Sequence, residues 1–153
     1  MKCVPVGIQE LDAKHHFLLN HDQLMTPRLE QFYKEKLHLK VLETKKKKNA
    51  LRRTILLSSE KQVPREYSLV HFYLGNMKEE MRNEIIAQKM PFAKILQKHK
   101  TKTFQKTRRF FKIKTDEKIK NALQTKADFL FGKKYRISTK NGKKLAEVVV
   151  VVN

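Results

Sequence analysis

Apolar residues recur at helical spacing in the first part of the chain and in alternating or continuous runs through most of the remainder. Leu11, His15, Leu18 and Leu19 share one side of a predicted helix that stops at the polar break Asn20-His21-Asp22. Thr26 suits an N-cap and Pro27 a first helical position, so a second helix is predicted through Arg28 to Lys36, with Leu29, Phe32 and Tyr33 on one side. From His38 the period changes. Leu39 and Val41 predict a short strand to Thr44, and the lysine run from Lys45 to Asn49 reads as an exposed connection. Ala50 to Ser59 and Tyr67 to Leu74 are β-prone and flank a Pro64-containing turn over Glu60 to Glu66, which predicts an antiparallel pair.

Asn76, with Glu79 three residues on, has the form of a capping box and predicts a helix through Met81, Ile85 and Ile86 to about Lys89. Pro91 opens a second short helix through Ile95 and Leu96, Thr101 to Ile113 reads as a basic strand, and Thr115 to Thr125 as a surface helix. Phe129 to Thr139 and Lys143 to Val152 are joined by Lys140-Asn141-Gly142, and an Asn-Gly pair between β-prone runs is a strong hairpin signal. Neighbouring elements joined by short turns favour an α+β fold with an antiparallel sheet over a doubly wound parallel one. A length of 153 residues with 40% hydrophobic content suits a single domain spanning residues 1–153.

Charge alters the picture of partners more than that of the fold. Lys plus Arg number 35 against 15 Asp plus Glu, a formal net charge of +20, which attracts phosphate, acidic lipid and small polyanions. The excess is scattered lysine with one dense run at Lys45 to Lys48. Directed nucleic-acid recognition leans on arginine, aromatics and known modules, none of which is spelled out, so no specific nucleic-acid partner is expected. Cys3 is the only cysteine, which leaves no intramolecular disulfide and fits a reducing compartment. No apolar run approaches the ~18 residues of a membrane helix, and the N-terminus lacks a signal-peptide layout.

Several chemistries find no support. None of the four glycines lies in a phosphate-cradling loop. His15, His16 and His21 are near one another, but no carboxylate or cysteine completes a metal ligand set, and no metal is expected. Ser58 and Ser59 lack a nucleophile elbow, and Glu79, Glu80 and Glu84 read as a solvated helix face.

Three features do point to chemistry. Glu147 follows Gly142-Lys143-Lys144-Leu145-Ala146 and precedes five valines, so its carboxylate is costly to desolvate unless a partner or ligand meets it; the alternative is an edge-strand glutamate in water. Arg52 and Arg53 interrupt an apolar strand, and because successive residues point to opposite faces only one looks inward. An inward guanidinium suits a carboxylate, either a ligand's or that of Glu147. The amides of Phe92 and Ala93, just after Pro91, are free donors at a helix start and would give an anion a second contact.

Taken in order, these segments resemble the chorismate pyruvate-lyase family. Phe17-Leu18-Leu19-Asn20-His21-Asp22-Gln23-Leu24-Met25-Thr26 followed by Leu29-Glu30 is similar to its early "leucines, Asp, Ser-Met-Thr, then Leu/Phe-Glu" segment. Leu51 to Leu57 resembles its Leu-Arg-Glu-Ile-Leu-Leu strand, Met90 to Leu96 its Thr-Pro-Leu-Gly segment, and Gly142-Lys143 to Glu147 its Gly-Lys-Pro and Thr-Glu pair. The match spans nearly the whole chain through short, degenerate motifs. It departs in carrying Phe92 and Ala93 where the family has leucine and glycine, in a hairpin two residues shorter, and in lacking the proline after the last strand. An even deletion preserves side-chain parity, so Glu147 is expected to face inward.

The resemblance implies a chorismate lyase-like, UTRA-like α+β fold of about six antiparallel strands with helices on one face. It also implies an elimination that needs no cofactor or metal, in which chorismate loses pyruvate and aromatises to 4-hydroxybenzoate. Alignment through Ile55-Leu56-Leu57 selects Arg53 to clamp the ring carboxylate with the amides of Phe92 and Ala93. Glu147 would hold the ring hydroxyl, and Met25 would pack over the ring. A monomer is expected, in the plastid stroma, or in the cytoplasm of a prokaryote. Two alternatives stand beside the enzyme: a non-catalytic sensor of a small aromatic acid built on the same fold, and a basic nucleic-acid-binding protein.

Overall fold

In the computed structural model, which describes residues 2–153, seven strands form one antiparallel sheet. The elements in chain order are β1 (Cys3–Val6), α1 (Ala13–Leu19), α2 (Met25–Tyr33), β2 (Leu37–Lys47), β3 (Ala50–Ser59), β4 (Pro64–Tyr73), α3 (Glu79–Ala87), α4 (Phe92–Lys98), β5 (Thr103–Lys114), α5 (Glu117–Leu123), β6 (Phe129–Thr139) and β7 (Lys144–Val152). Short 3-10 turns occupy Ile8–Glu10 and Leu74–Asn76. The strand order across the sheet is β1-β5-β6-β7-β4-β3-β2, and every neighbouring pair is antiparallel.

Alternation along the strands divides the sheet into two faces. The front face carries Leu51, Ile55 and Leu57 of β3, Val70 and Phe72 of β4, Tyr135 and Ile137 of β6, and Val148, Val150 and Val152 of β7. Against it pack α1 to α4 through Leu18, Leu19, Leu29, Ile85, Ile95 and Leu96, all buried. The back face has its own smaller core at one end, where Ile119 and Leu123 of α5 cover Leu56, Tyr67, Phe111, Ile113, Leu130 and Val151. Among the described residues the other end of the back face carries no helix. Gly132 allows closest approach beneath this core, because a Cβ there would overlap the Val150 carbonyl oxygen and the Phe111 ring.

The predicted α+β antiparallel sheet and its C-terminal hairpin are present, with Gly142 at φ 81° in the turn. Five details differ from the expectation. Helices were expected on one face, but α5 packs on the back, because Ile119 and Leu123 find the apolar patch of Leu56, Phe111, Ile113 and Val151 there. Seven strands are found rather than about six: β1 is short, contains Pro5, and gains its structure from pairing with Phe110 to Ile113 of β5. The lysine run is no loop, since β2 extends through Lys47 as the sheet's outer strand; an edge leaves lysine side chains solvated while the backbone still pairs. Pro64 begins β4 instead of lying in a turn, after a register shift opposite Ser58. The N-caps of α2 and α3 are Leu24 and Lys78, not Thr26 and Asn76, and Thr26 is a buried helical residue. Among the described residues no helix is long and apolar enough to cross a membrane.

Candidate functional site

The starts of α2 and α4 converge over the front face and enclose a cavity of about 40 Å³. Leu24, Met25 and Thr26 form one wall, Pro91, Phe92 and Ala93 another, and the floor is built by Arg53, Glu66, Ser68, Phe72, Tyr135 and Val148. Four of the residues selected from sequence, Met25, Arg53, Phe92 and Ala93, therefore meet at one place.

Arg53 is 2% exposed and projects to the front with Leu51 and Ile55, while Arg52 projects to the back and donates from Nε to His71 Nδ1 at 3.0 Å. Arg53 Nη1 donates to the Ile85 carbonyl at 3.2 Å, and the guanidinium carbon lies 4.7 Å from the Phe72 ring centre. Its Nε has no acceptor among the described residues. Burial lowers its pKa to about 10, so the group remains charged at neutral pH. A buried cation held by one carbonyl and a ring face keeps donor capacity that an anion could use.

Glu66 supplies the complementary group. It is 3% exposed; Ser68 Oγ donates to its Oε2 at 3.2 Å, and Oε1 has no donor among the described residues. Burial raises its pKa to about 7, against the opposing pull of the Ser68 hydrogen bond and the Lys133 charge. Glu66 thus changes its charge near neutrality.

Lys133, 1% exposed, stands behind this wall. Its Nζ donates to the carbonyls of Leu19 at 2.8 Å and His21 at 3.4 Å, which ties β6 to the link between α1 and α2. Burial lowers its pKa to about 8. In the same link the His21 ring lies 2.7 Å from the Leu18 carbonyl through Nε2 and accepts from the Gln23 amide at Nδ1. Its pKa falls to about 4, through burial first and then the Lys133 charge, so the ring stays neutral. The lysine accordingly fixes the segment that delivers Leu24 and Met25 to the cavity.

α1 and α5 are capped by Asp12 and Asp116, whose carboxylates accept from the amides of His15 and Ile119. α2, α3 and α4 start at Leu24, Lys78 and Pro91, with no side-chain cap. In α4 the first intrahelical donor is Lys94, to the Pro91 carbonyl at 3.0 Å, so the amides of Phe92 and Ala93 precede the helical ladder.

Glu147 corrects the expectation of an inward carboxylate. It pairs in register with His71 and Arg136 on the back face, and Arg136 Nη2 donates to its Oε1 at 3.1 Å. Partial burial pushes its pKa up, but the hydrogen bond and charge of Arg136, with Lys134 and Lys144, hold it below the ordinary value. The front positions of β7 are taken by Ala146, Val148 and Val150, so Glu147 and Arg53 lie on opposite faces and form no ion pair. Sequence reading missed Glu66, Ser68, Lys133 and Tyr135. The signal for the first two was present in the alternation Glu66, Ser68, Val70, Phe72, but assigning Glu66 to a turn hid its parity. Among the described residues no three His, Cys, Asp or Glu gather as a metal set.

No family model and no curated protein matches this chain. Solved structures do. Gene product SA0254 from Staphylococcus aureus is 15% identical, with a TM-score of 0.61 over 76% of this chain and 82% of that one. PhnF from Mycobacterium smegmatis is 7% identical, with a TM-score of 0.61 over 86% of this chain and 64% of PhnF. The ligand-binding domain of a proposed GntR-family transcriptional regulator from Bordetella bronchiseptica is 11% identical, with a TM-score of 0.52 over 75% and 83%. Identities this low speak to fold alone, and the fold they share with this chain is the UTRA-like, chorismate lyase-like α+β sheet.

Proposed function

We propose that this chain is a small-carboxylate-binding domain, a sensor of a small aromatic acid, and does not turn over chorismate. One observation carries the reading: Arg53 Nε and Glu66 Oε1, both buried and without a partner, line the same cavity. A ligand carboxylate would accept from Arg53 and from the amides of Phe92 and Ala93, and a hydroxyl at the ligand's far end would meet Glu66. The likeness to regulator domains, one of them described as ligand-binding, supports sensing over catalysis. Phe92 packs edge-on against Phe72 with ring centres 5.0 Å apart, and the remaining 40 Å³ admits neither an aromatic acid nor chorismate until Phe92 turns aside.

The lyase remains the second reading, because Arg53, Met25, Phe92 and Ala93 meet in one cavity as the resemblance implies. It requires Glu66 in the role implied for Glu147. Titration calorimetry with 4-hydroxybenzoate, beside an assay of pyruvate release from chorismate, separates the two. Binding without pyruvate, lost at least tenfold in Arg53→Ala, is the expected result. Equimolar pyruvate and 4-hydroxybenzoate would establish the lyase, and absence of both binding and turnover would remove the cavity from consideration.

A further inference from the structure

The open end of the back face has a composition that the cavity does not explain. At the level of His71 the strand register aligns Lys106, Arg136, Glu147, His71, Arg52 and Lys45 in one row across six strands. At about 4.8 Å per strand the row is about 24 Å long. One step towards α5 the next row holds Arg109 and Lys134 at one side, Val149 and Leu69 at its centre, and Thr54 and Glu43 at the other. Between the rows lies a shallow groove of about 370 Å³.

Cations dominate this surface, but its centre is a platform of rings and apolar groups. His71 and Tyr73 alternate on β4 with ring centres 4.5 Å apart, and Leu69, 38% exposed, continues the same line. Arg52 donates to His71 Nδ1, which fixes the imidazole as an acceptor there, and burial with the Arg52 charge lowers its pKa against the opposing pull of Glu147. A flat row of guanidinium and ammonium groups flanking ring faces suits a chain whose charges repeat and whose units stack. Glu43 and Glu147 repel phosphate but accept from hydroxyl groups, which ribose offers and deoxyribose lacks at the 2′ position.

We propose that this open half of the back face binds single-stranded RNA. Lys45, Arg52, Lys134 and Arg136 track the phosphates, bases stack on Tyr73 and His71, and Glu147, held by Arg136, accepts from a ribose hydroxyl. A second copy of the chain is a poor occupant, since each carries a net charge of +20. The proposal is independent of the front cavity.

Fluorescence anisotropy with a labelled 12-nucleotide uridine oligomer, on the full chain at two salt concentrations, tests it. The double variant Arg52→Ala/Lys134→Ala is expected to lose tenfold or more in affinity. Lys61→Ala/Lys126→Ala, which removes equal charge from exposed sites elsewhere, should stay within twofold. Tyr73→Ala should weaken binding severalfold while leaving the log–log salt slope unchanged, because stacking releases no counterions. A thymidine oligomer of equal length should bind more weakly, and polyglutamate should not compete. Thermal melting checks each fold, and Lys45→Ala/Lys134→Ala replaces the first variant if that one unfolds. Equal losses in both double variants, unchanged affinity in the back-face variants, equal binding of RNA and DNA oligomers, competition by polyglutamate, or a dimer that RNA does not dissociate would each overturn the proposal.

Discussion

Glu66 and Arg53 are charged groups buried without full partners, and each should reveal itself by what its removal improves. The Glu66 pKa is about 7 in the folded chain against an ordinary 4.5, so between those values the folded state keeps a proton that the unfolded state has released. Stability therefore falls as pH rises from about 4.5 to about 7 and is level above. Glu66→Gln should abolish that decline, a relative gain on the order of 3 kcal/mol at pH 8 compared with pH 4.5. Urea unfolding at both pH values checks it, and parallel profiles for the two proteins would refute the assignment. Arg53→Met replaces a buried cation with an apolar chain of similar length. It should hold or raise the melting temperature by a few degrees while removing carboxylate binding. A large drop in melting temperature would make Arg53 a structural residue. The strand pattern left Arg52 and Arg53 open, and Arg53 was legible as the inward one only through the resemblance, aligned through Ile55-Leu56-Leu57. Glu147 was not, because β7 is central and buried on both faces: Val148 and Val150 pack forward while Val151 packs backward, so the valine run shows no alternation from which a facing could be read.

At the level of elements, propensity and turn chemistry located nearly every helix and strand, whereas tertiary pairing decided the ends. β1 exists only through β5, and the lysine run becomes a strand only because Ala50 to Arg53 lie beside it. Those lysines also guard an edge that would otherwise offer unpaired backbone to another chain. The link between α1 and α2 depends on one buried side chain. Lys133→Met removes the ammonium from the His21 carbonyl and from the Leu19 carbonyl, which keeps only the His21 amide at 3.1 Å, and should cost about 1–3 kcal/mol. Hydrogen exchange should quicken over residues 20–25, and carboxylate binding should weaken because Leu24 and Met25 lose their anchor. Protection unchanged across that stretch would show that the helices hold it without the lysine.

Over the whole molecule, the net charge of +20 opposes compactness at every pH where lysine is protonated. Raising sodium chloride from 20 to 300 mM should therefore raise the melting temperature by several degrees, and an unchanged midpoint would mean that the repulsion is already balanced locally. That charge was plain in the sequence, but its gathering into rows on one half-face was not, since it follows from the register of strands distant along the chain.

The sheet order has a consequence for biosynthesis. β7 is the last of the seven strands to be made, yet it stands fourth across the sheet, between β6 and β4. Until it emerges, β6 and β4 have no strand between them, and the sets β1-β5-β6 and β4-β3-β2 cannot close into one sheet. Nothing short of that final strand can join them, so the chain commits to its native state in a single late step, and the long wait before it is the interval in which chaperones or aggregation compete for the polypeptide.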